Sequence, residues 1–85
     1  MKARVRFFAR LSELADTRET EVEVGEGLTV ADLFAALCAR FPGLRDYEGR
    51  LLFAVNAEYV QPSHPLHGGE EVALIPPVSG GAHVV

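Results

Sequence analysis

Cysteine is almost absent from this chain of 85 residues, with Cys38 as the single example. One thiol cannot form an internal disulfide and cannot by itself build a thiolate metal site. The absence of an internal disulfide is typical of proteins from reducing compartments, so we expect a cytoplasmic location.

Long hydrophobic runs are lacking at the amino terminus, where Lys2, Arg4 and Arg6 alternate with apolar residues. This pattern predicts neither a signal peptide nor a spanning helix, and we expect no membrane association. Positive charge is also sparse and scattered, because 8 basic residues face 12 acidic ones and the formal net charge is −4. Nucleic acid is therefore not an expected partner, since its phosphates require clustered positive charge.

The composition does supply apolar material, with 48% hydrophobic and 24% charged residues. A chain of this length buries only about 60–65% of the surface that its unfolded state exposes, which leaves room for one core. We expect one small domain over residues 1–77 and a flexible tail over residues 78–85.

Alternating runs predict strands at residues 3–9 and 19–24, which can pair as a broad hairpin, with a short helical turn at residues 11–15. Thr29 and Asp32 predict a helix start, because both side chains can accept hydrogen bonds from the free N–H groups of a first turn. Apolar residues then recur at helical spacing and share one stripe. They are Val30, Leu33, Phe34, Leu37 and Phe41.

This helix is expected to end at Phe41, because Pro42 disfavours helical geometry in the residue before it. An irregular link and further strands follow, at residues 51–56, 59–60 and 71–75. The first of these strands is apolar enough to be covered on both faces. A helix across one face of a mixed sheet is the simplest way to bury the helical stripe, which predicts an α+β fold of the β-grasp (ubiquitin-like) kind.

The carboxyl-terminal segment carries the most distinctive motif, Pro76-Pro77-Val78-Ser79-Gly80-Gly81. The two prolines favour an extended chain, and residues 78–81 then reach roughly 13 Å at about 3.3 Å per residue. Glycines have no side chain to obstruct a narrow channel or to crowd an attack on a terminal carbonyl. Such a tail suits insertion into another protein's cleft, although composition alone is equally consistent with a terminus without function.

Several segments resemble the small subunit of molybdopterin synthase, a ubiquitin-like sulfur carrier. They are RFFARLSEL at residues 6–14, LFAVN at 52–56, HPL at 64–66, GEEVA at 69–73 and PPVSGG at 76–81. The similarity runs from residue 3 to residue 81, and the closing PPVSGG is far more specific than a pair of glycines alone.

The resemblance implies that an adenylating activating enzyme uses ATP to activate Gly81, whose carboxylate then becomes a thiocarboxylate. It also implies that the loaded tail enters the large subunit of a heterotetrameric synthase and delivers sulfur to a cyclic pyranopterin precursor in molybdenum cofactor biosynthesis. Gly81 carries the sulfur in this scheme, and the tail gives access through Gly80, Ser79, Val78, Pro77 and Pro76. The chain binds no cofactor and is inert alone, because the family's catalytic groups belong to the large subunit.

The sequence departs from the family pattern by continuing past Gly81 with Ala82-His83-Val84-Val85. An amide at Gly81 cannot be adenylated. We expect a processing protease to remove Ala82–Val85, with fusion to the large subunit or loss of the carrier chemistry as alternatives.

Phe8, Tyr59 and Ile75 are candidate interface residues. Phe8 lies on the charged face of the first strand, and Ile75 lies opposite in parity to Val72 and Leu74, so both fall outside the predicted core. Scattered exposed apolar residues usually have no function. Matching positions in the family form a hydrophobic patch that docks the activating enzyme and the large subunit, which favours an interface here.

Other candidate residues have simpler explanations. Cys38 follows Phe34 by one helical turn and is expected to be a small buried hydrophobic residue. His64 and His67 have the spacing of a metal pair, but Pro65 lies between them and no third ligand is near, so no metal is expected.

Three other functions stay open at this point. One is a related sulfur carrier that feeds thiazole or another product. Another is a protein modifier that is joined through Gly81 to lysines of target proteins. The third is a plain binding module whose tail has no chemistry.

Overall fold

The computed structural model describes residues 1–77 as a five-stranded sheet with one long helix on one face. Its elements are β1 (Lys2–Phe7), α1 (Arg10–Ala15), β2 (Glu19–Glu23), α2 (Val30–Arg40), a 3₁₀ helix (Pro42–Tyr47), β3 (Leu52–Val55), β4 (Glu58–Val60) and β5 (Glu71–Ile75). The strand order is β2-β1-β5-β3-β4, in which β1 and β5 are parallel and the other neighbours antiparallel. The predicted α+β, β-grasp fold is confirmed. No helix within residues 1–77 is long and apolar enough to cross a membrane.

Strand β1 alternates between buried and exposed side chains, as its sequence predicts. Ala3, Val5 and Phe7 are buried in the core, and the residues between them are exposed. The hairpin with β2 is confirmed, with Val5 opposite Thr20. The strand ends at Phe7 and not at the predicted residue 9, because Ala9 has a positive φ of 53° that interrupts the extended chain.

Helix α2 begins with a capping box. The Asp32 N–H donates to Thr29 Oγ1 over 3.2 Å, and the Thr29 N–H donates to Asp32 Oδ2 over 3.0 Å. Hydrogen bonds from the backbone and the side chain of Thr29 hold the pKa of the Asp32 carboxyl below its ordinary value. The predicted helix start is confirmed, and two of the first free N–H groups are satisfied locally.

The carboxyl end of α2 is tied to the edge of the sheet by Arg40. Its Nη1 donates to the Glu21 carbonyl over 3.0 Å and its Nη2 donates to Thr20 Oγ1 over 2.8 Å. The predicted helix end at Phe41 is confirmed. A 3₁₀ helix follows where the sequence predicts an irregular link, because Pro42 at its first position has a φ already suited to a helical turn.

The hairpin of β3 and β4 turns on two residues with positive φ, Asn56 at 49° and Ala57 at 73°. Two such residues in succession match the type I′ turn, whose twist suits adjacent strands. Asn56 fits this position, and its Oδ1 accepts a hydrogen bond of 3.0 Å from the Glu71 N–H. Ala57 is less well suited, because its methyl group disfavours positive φ.

The core lies between α2 and the sheet. The apolar stripe of the helix is buried there, and Phe34 meets Phe53 edge to face with ring centroids 5.9 Å apart. Phe7 packs in the same way on Phe41 at 5.7 Å. The loop before β5 contributes Leu66, which is fully buried.

Glu70 holds this loop in shape through its carboxylate. Oε2 accepts from the His67 N–H over 2.7 Å and Oε1 from the Gly68 N–H over 2.6 Å. Partial burial raises the pKa of the Glu70 carboxyl, but the backbone N–H groups of His67, Gly68 and Glu70 outweigh burial and lower it below its ordinary value.

Replacing Glu70 therefore has a pH-dependent cost. The folded-state pKa is lowered, so the ionised carboxylate stabilises the fold above the unfolded-state pKa, and this contribution disappears as the pH falls through the folded-state value. Glu70→Gln is expected to lower the free energy of unfolding by up to about 1 kcal/mol at neutral pH, since the group is solvent-accessible. The difference from the unmodified chain vanishes at low pH.

Urea unfolding at neutral and acid pH measures this effect. Glu26→Gln removes the same charge from an exposed turn and serves as the matched control. An equal loss at both pH values for Glu70→Gln contradicts the account.

Candidate functional site

The sheet carries α2 on one face, and the opposite face presents the side chains of the other parity. On β1 these are Lys2, Arg4 and Arg6, all exposed. Cross-strand register places on the same face Glu21, Ala73, Leu52 and Tyr59 from the four other strands. We call this surface the open face.

One half of the open face is charged. Strands β1 and β2 set Arg4 opposite Glu21 and Lys2 opposite Glu23. The Lys2 Nζ lies 3.7 Å from Glu21 Oε1, with both side chains largely exposed. Such surface ion pairs contribute little stability, so this half is chiefly a solvated, mixed-charge surface.

The other half of the open face is apolar, and we call it the open-face patch. Its exposed members are Phe8, Leu52 and Tyr59, whose residue surfaces are 39%, 51% and 72% exposed. The register makes it continuous, because Leu52 lies opposite Ile75 and Ala54 lies opposite both Ala73 and Tyr59. The patch is defined by Phe8, Leu52, Ala54, Tyr59, Ala73 and Ile75.

The end of the patch at the carboxyl end of β5 contains a shallow groove. Its volume is about 370 Å³ and its lining is almost wholly apolar. It is formed by Phe8, Ala9, Ile75, Pro76 and Pro77. The chain leaves the sheet after Ile75, so the groove lies beside the first residues that follow β5.

Arg6 marks the boundary between the two halves. Its guanidinium lies 5.3 Å from the centroid of the Phe8 ring, and its Nη1 lies 3.9 Å from Glu71 Oε2. The cation therefore contacts an aromatic face and a carboxylate at once, which restricts where Phe8 can lie.

Leu52 is the large exposed patch residue that sequence reasoning misses, and the smaller members Ala54 and Ala73 are not predicted either. The prediction that residues 51–56 are covered on both faces is wrong at Leu52, which is half exposed, although Phe53, Ala54 and Val55 are buried. Continuous apolar sequence cannot show this, because exposure at Leu52 depends on its position opposite Ile75 at the end of the sheet.

The predicted tail residues divide at Pro77. Pro76 and Pro77 are described and line the groove beside Phe8. Val78, Ser79, Gly80 and Gly81 lie outside the described residues, as does the segment Ala82–Val85.

Cys38 belongs to α2, so it lies on the opposite side of the sheet from the open face. It is 4% exposed, as expected of a small buried residue. Burial is the main influence on its pKa, which is raised above the ordinary value; Arg45 opposes this and Glu48 adds to it. A raised pKa keeps the sulfur as a thiol and makes it a poor nucleophile.

The histidines do not assemble a metal site within the described part of the chain. His64 is half-buried and His67 exposed, and residues 1–77 contain no group of three or more His, Cys, Asp or Glu side chains placed to hold a metal ion. The His64 carbonyl instead accepts a hydrogen bond from the Val30 N–H over 3.0 Å, so this loop anchors the start of α2.

Comparison with known sequences points in one direction. The model of the ThiS family matches residues 5–81. A molybdopterin synthase sulfur carrier subunit of Chlamydomonas reinhardtii is 41% identical over 83 residues, covering 95% of this chain and 100% of the relative. That of Escherichia coli K12 is 42% identical over 80 residues, covering 92% and 98%.

Solved structures with the same fold include two informative cases. SAMP1 from Haloferax volcanii has a TM-score of 0.86 and 30% identity, covering 95% of this chain and 100% of that one. The complex of subunits 1 and 2 of the molybdopterin-converting factor from Helicobacter pylori matches with a TM-score of 0.67 and 26% identity, covering 95% and 100%. From its sequence and its fold, this chain belongs to the ThiS family and groups there with the sulfur carrier subunits of molybdopterin synthase.

Proposed function

We propose that this chain delivers sulfur for molybdopterin synthesis from a thiocarboxylate formed at Gly81. The observation that carries the proposal is the position of the open-face patch at the root of the Pro76-Pro77-Val78-Ser79-Gly80-Gly81 motif. A docking surface beside a narrow tail lets one contact supply affinity while the tail reaches into a partner's catalytic cleft.

The chemistry needs an activated carboxyl group. A carboxylate is a poor electrophile, so the activating enzyme uses ATP to join AMP to the Gly81 carboxylate with release of pyrophosphate. Hydrosulfide-level sulfur (HS⁻) then attacks the carbonyl, the bond to AMP breaks, and the thiocarboxylate remains with AMP and a proton released. In this scheme no side chain of the chain acts as nucleophile or base; the reacting groups are the Gly81 carboxylate and then its thiocarboxylate, and the chain binds no cofactor of its own.

Two partners follow from this scheme, the large subunit of molybdopterin synthase and the adenylating activating enzyme. The Helicobacter pylori relative was solved as a complex of subunits 1 and 2, which supports the first. Both partners need the same tail, and we assign the same patch to both, so their binding is mutually exclusive. The carrier, its processing protease and its partners act in the cytoplasm.

The active form is expected to end at Gly81, because only a free carboxylate can be adenylated. Protein isolated from the native host is expected to have lost Ala82–Val85 by intact-mass analysis. Part of it carries a further mass increase from the replacement of one oxygen by sulfur. A chain that keeps residues 82–85 and still supports cofactor synthesis in cells contradicts the role of Gly81.

Phe8→Ala is expected to weaken docking on the large subunit. The ring lies in the patch and is partly exposed, and aromatic anchors commonly lose about 2 kcal/mol of binding free energy on truncation, a factor of roughly 30 in affinity. The melting temperature changes little, because the core of the domain lies on the other face of the sheet.

Calorimetric titration of the large subunit with each variant measures this loss, and Glu26→Ala on a remote exposed turn is the control. A Phe8→Ala chain that unfolds readily is instead evidence that the ring belongs to the core.

Gly80→Val, in a chain that ends at Gly81, is expected to separate docking from chemistry. The patch is unchanged, so affinity for the large subunit is retained. A branched side chain next to the reacting carbonyl hinders entry into a narrow channel, so sulfur transfer in a single turnover falls by tenfold or more, about 1.4 kcal/mol.

Gly25→Val is the matched control, because a Cβ added at Gly25 meets no atom within 4 Å. Normal transfer by the Gly80→Val chain shows that the channel is wide and removes this reason for the glycine pair.

Protein modification is a second candidate function, favoured by the close structural match to SAMP1, a small archaeal modifier protein. The same activated Gly81 would then form an isopeptide bond with a target lysine. Mass spectrometry of tryptic digests from the native host distinguishes the two functions. Arg50 is the last trypsin site before Gly81, so a modifier leaves the segment 51–81 joined to target lysines, and a dedicated sulfur carrier leaves no such branched peptide.

A further inference from the structure

Ala9 has a backbone conformation that residues other than glycine rarely adopt. It has φ 53° and ψ −130°, and it lies between the end of β1 and the start of α1. The Cβ of an L residue is crowded in this region, whereas glycine is free to occupy it. Strain of this kind persists only where the surroundings enforce it, and it concentrates at functional sites.

Hydrogen bonds on both sides of Ala9 enforce the conformation. The Phe8 N–H donates to the Leu74 carbonyl over 3.3 Å, which fixes the chain before Ala9 to β5. The Ala9 carbonyl accepts from the Ser12 N–H over 3.1 Å and from Ser12 Oγ over 2.8 Å, which fixes the chain after it to α1.

The strained residue also lies at the docking surface. Ala9 lines the apolar groove together with its neighbour Phe8 and with Ile75, Pro76 and Pro77. The backbone angles at Ala9 therefore influence where the Phe8 side chain lies, next to the residues that follow β5.

We propose that Ala9 is a positioning residue, whose narrow range of allowed backbone angles holds the Phe8 ring beside Ile75 and Pro76 so that the patch and the root of the tail reach a partner as one rigid edge. This inference rests on the proposed function. It extends that function by assigning a role to a residue outside the tail motif.

The choice of alanine over glycine supports this role. Glycine relieves the crowding at this φ but also widens the range of backbone angles, so the neighbouring ring becomes free to move. A partner must then order that ring on binding, which costs affinity without removing any contact. Alanine keeps the ring ordered beforehand at the expense of some stability.

Ala57 provides a matched comparison, because it is the other alanine with positive φ within residues 1–77, at 73°. It is exposed and lies in the β3–β4 turn, at the opposite end of the sheet from the Leu52–Ile75 pair. Ala57→Gly relieves the same kind of strain without touching the groove. Ala9→Ser keeps a Cβ and the same restriction on the backbone.

The experiment compares Ala9→Gly, Ala57→Gly and Ala9→Ser in the chain ending at Gly81. Both glycine variants are expected to melt at or up to about 5 °C above the unmodified chain. NMR relaxation of the free protein is expected to show greater mobility of the Phe8 ring in Ala9→Gly alone. Ala9→Gly binds the large subunit about threefold to tenfold more weakly, the cost of ordering one side chain. It raises the KM for the carrier in sulfur transfer and leaves kcat unchanged, and Ala9→Ser restores both affinity and KM.

Equal mobility of the Phe8 ring in the two glycine variants overturns the inference, even if Ala9→Gly binds more weakly, because only the methyl contact has then been lost. This measurement needs no partner. Failure of the unmodified chain to bind a large subunit counts against the proposed function, while the mobility data still decide the role of Ala9.

Discussion

The parallel pairing of β1 with β5 is the constraint on which the rest of the structure depends. It joins the first and last strands of the described chain in the centre of the sheet, with Val5 opposite Val72 and Phe7 opposite Leu74. Contacts this distant in sequence cost loop-closure entropy before they contribute any stability. The same pairing carries Phe8 to the point where the chain leaves β5, so the docking patch cannot exist until the whole sheet has formed.

The helix and the alternating strands were predictable because their signals are local. Thr29 and Asp32 mark a helix start within one turn, and six residues of β1 are enough to show the alternation of polar and apolar side chains. Parity also predicts that Phe8, which is exposed, and Ile75, which is half-buried, lie outside the core, whereas it does not predict that they are adjacent. That adjacency, and the exposure of Leu52, arise from register between strands that are far apart in sequence.

The strained backbone at Ala9 had no signal in the sequence. Alanine is neutral in most contexts. The angle that Ala9 adopts is enforced by hydrogen bonds from the Phe8 N–H to the Leu74 carbonyl and from Ser12 to the Ala9 carbonyl, which only the structure reveals. Tertiary contacts decide such angles, which is why a functional site is the region where local reasoning fails first. The chemistry of the tail presents the opposite case, since PPVSGG is specific as a motif and lies outside the described residues.

One sheet thus separates two tasks on its two faces. The face under α2 holds the aromatic contacts of the core, and the open face presents apolar side chains beside a mixed-charge surface. An exposed apolar patch is an aggregation hazard. Arg6, in contact with Phe8 and Glu71, places charge at its border and limits that hazard without covering the rings.

Arg40 affects whether a second copy of the chain can pair with the β2 edge of the sheet. The Arg4 N–H donates toward β5, so the Glu21 carbonyl opposite it points away from β1 and outward from the sheet. Arg40 donates to that carbonyl, and the strand itself carries three glutamates, Glu19, Glu21 and Glu23. A second copy therefore finds no free template for strand pairing at this position. The β2 edge is therefore a poor site for lateral growth of the sheet, because one of its outward carbonyls is occupied and its side chains carry charge of one sign.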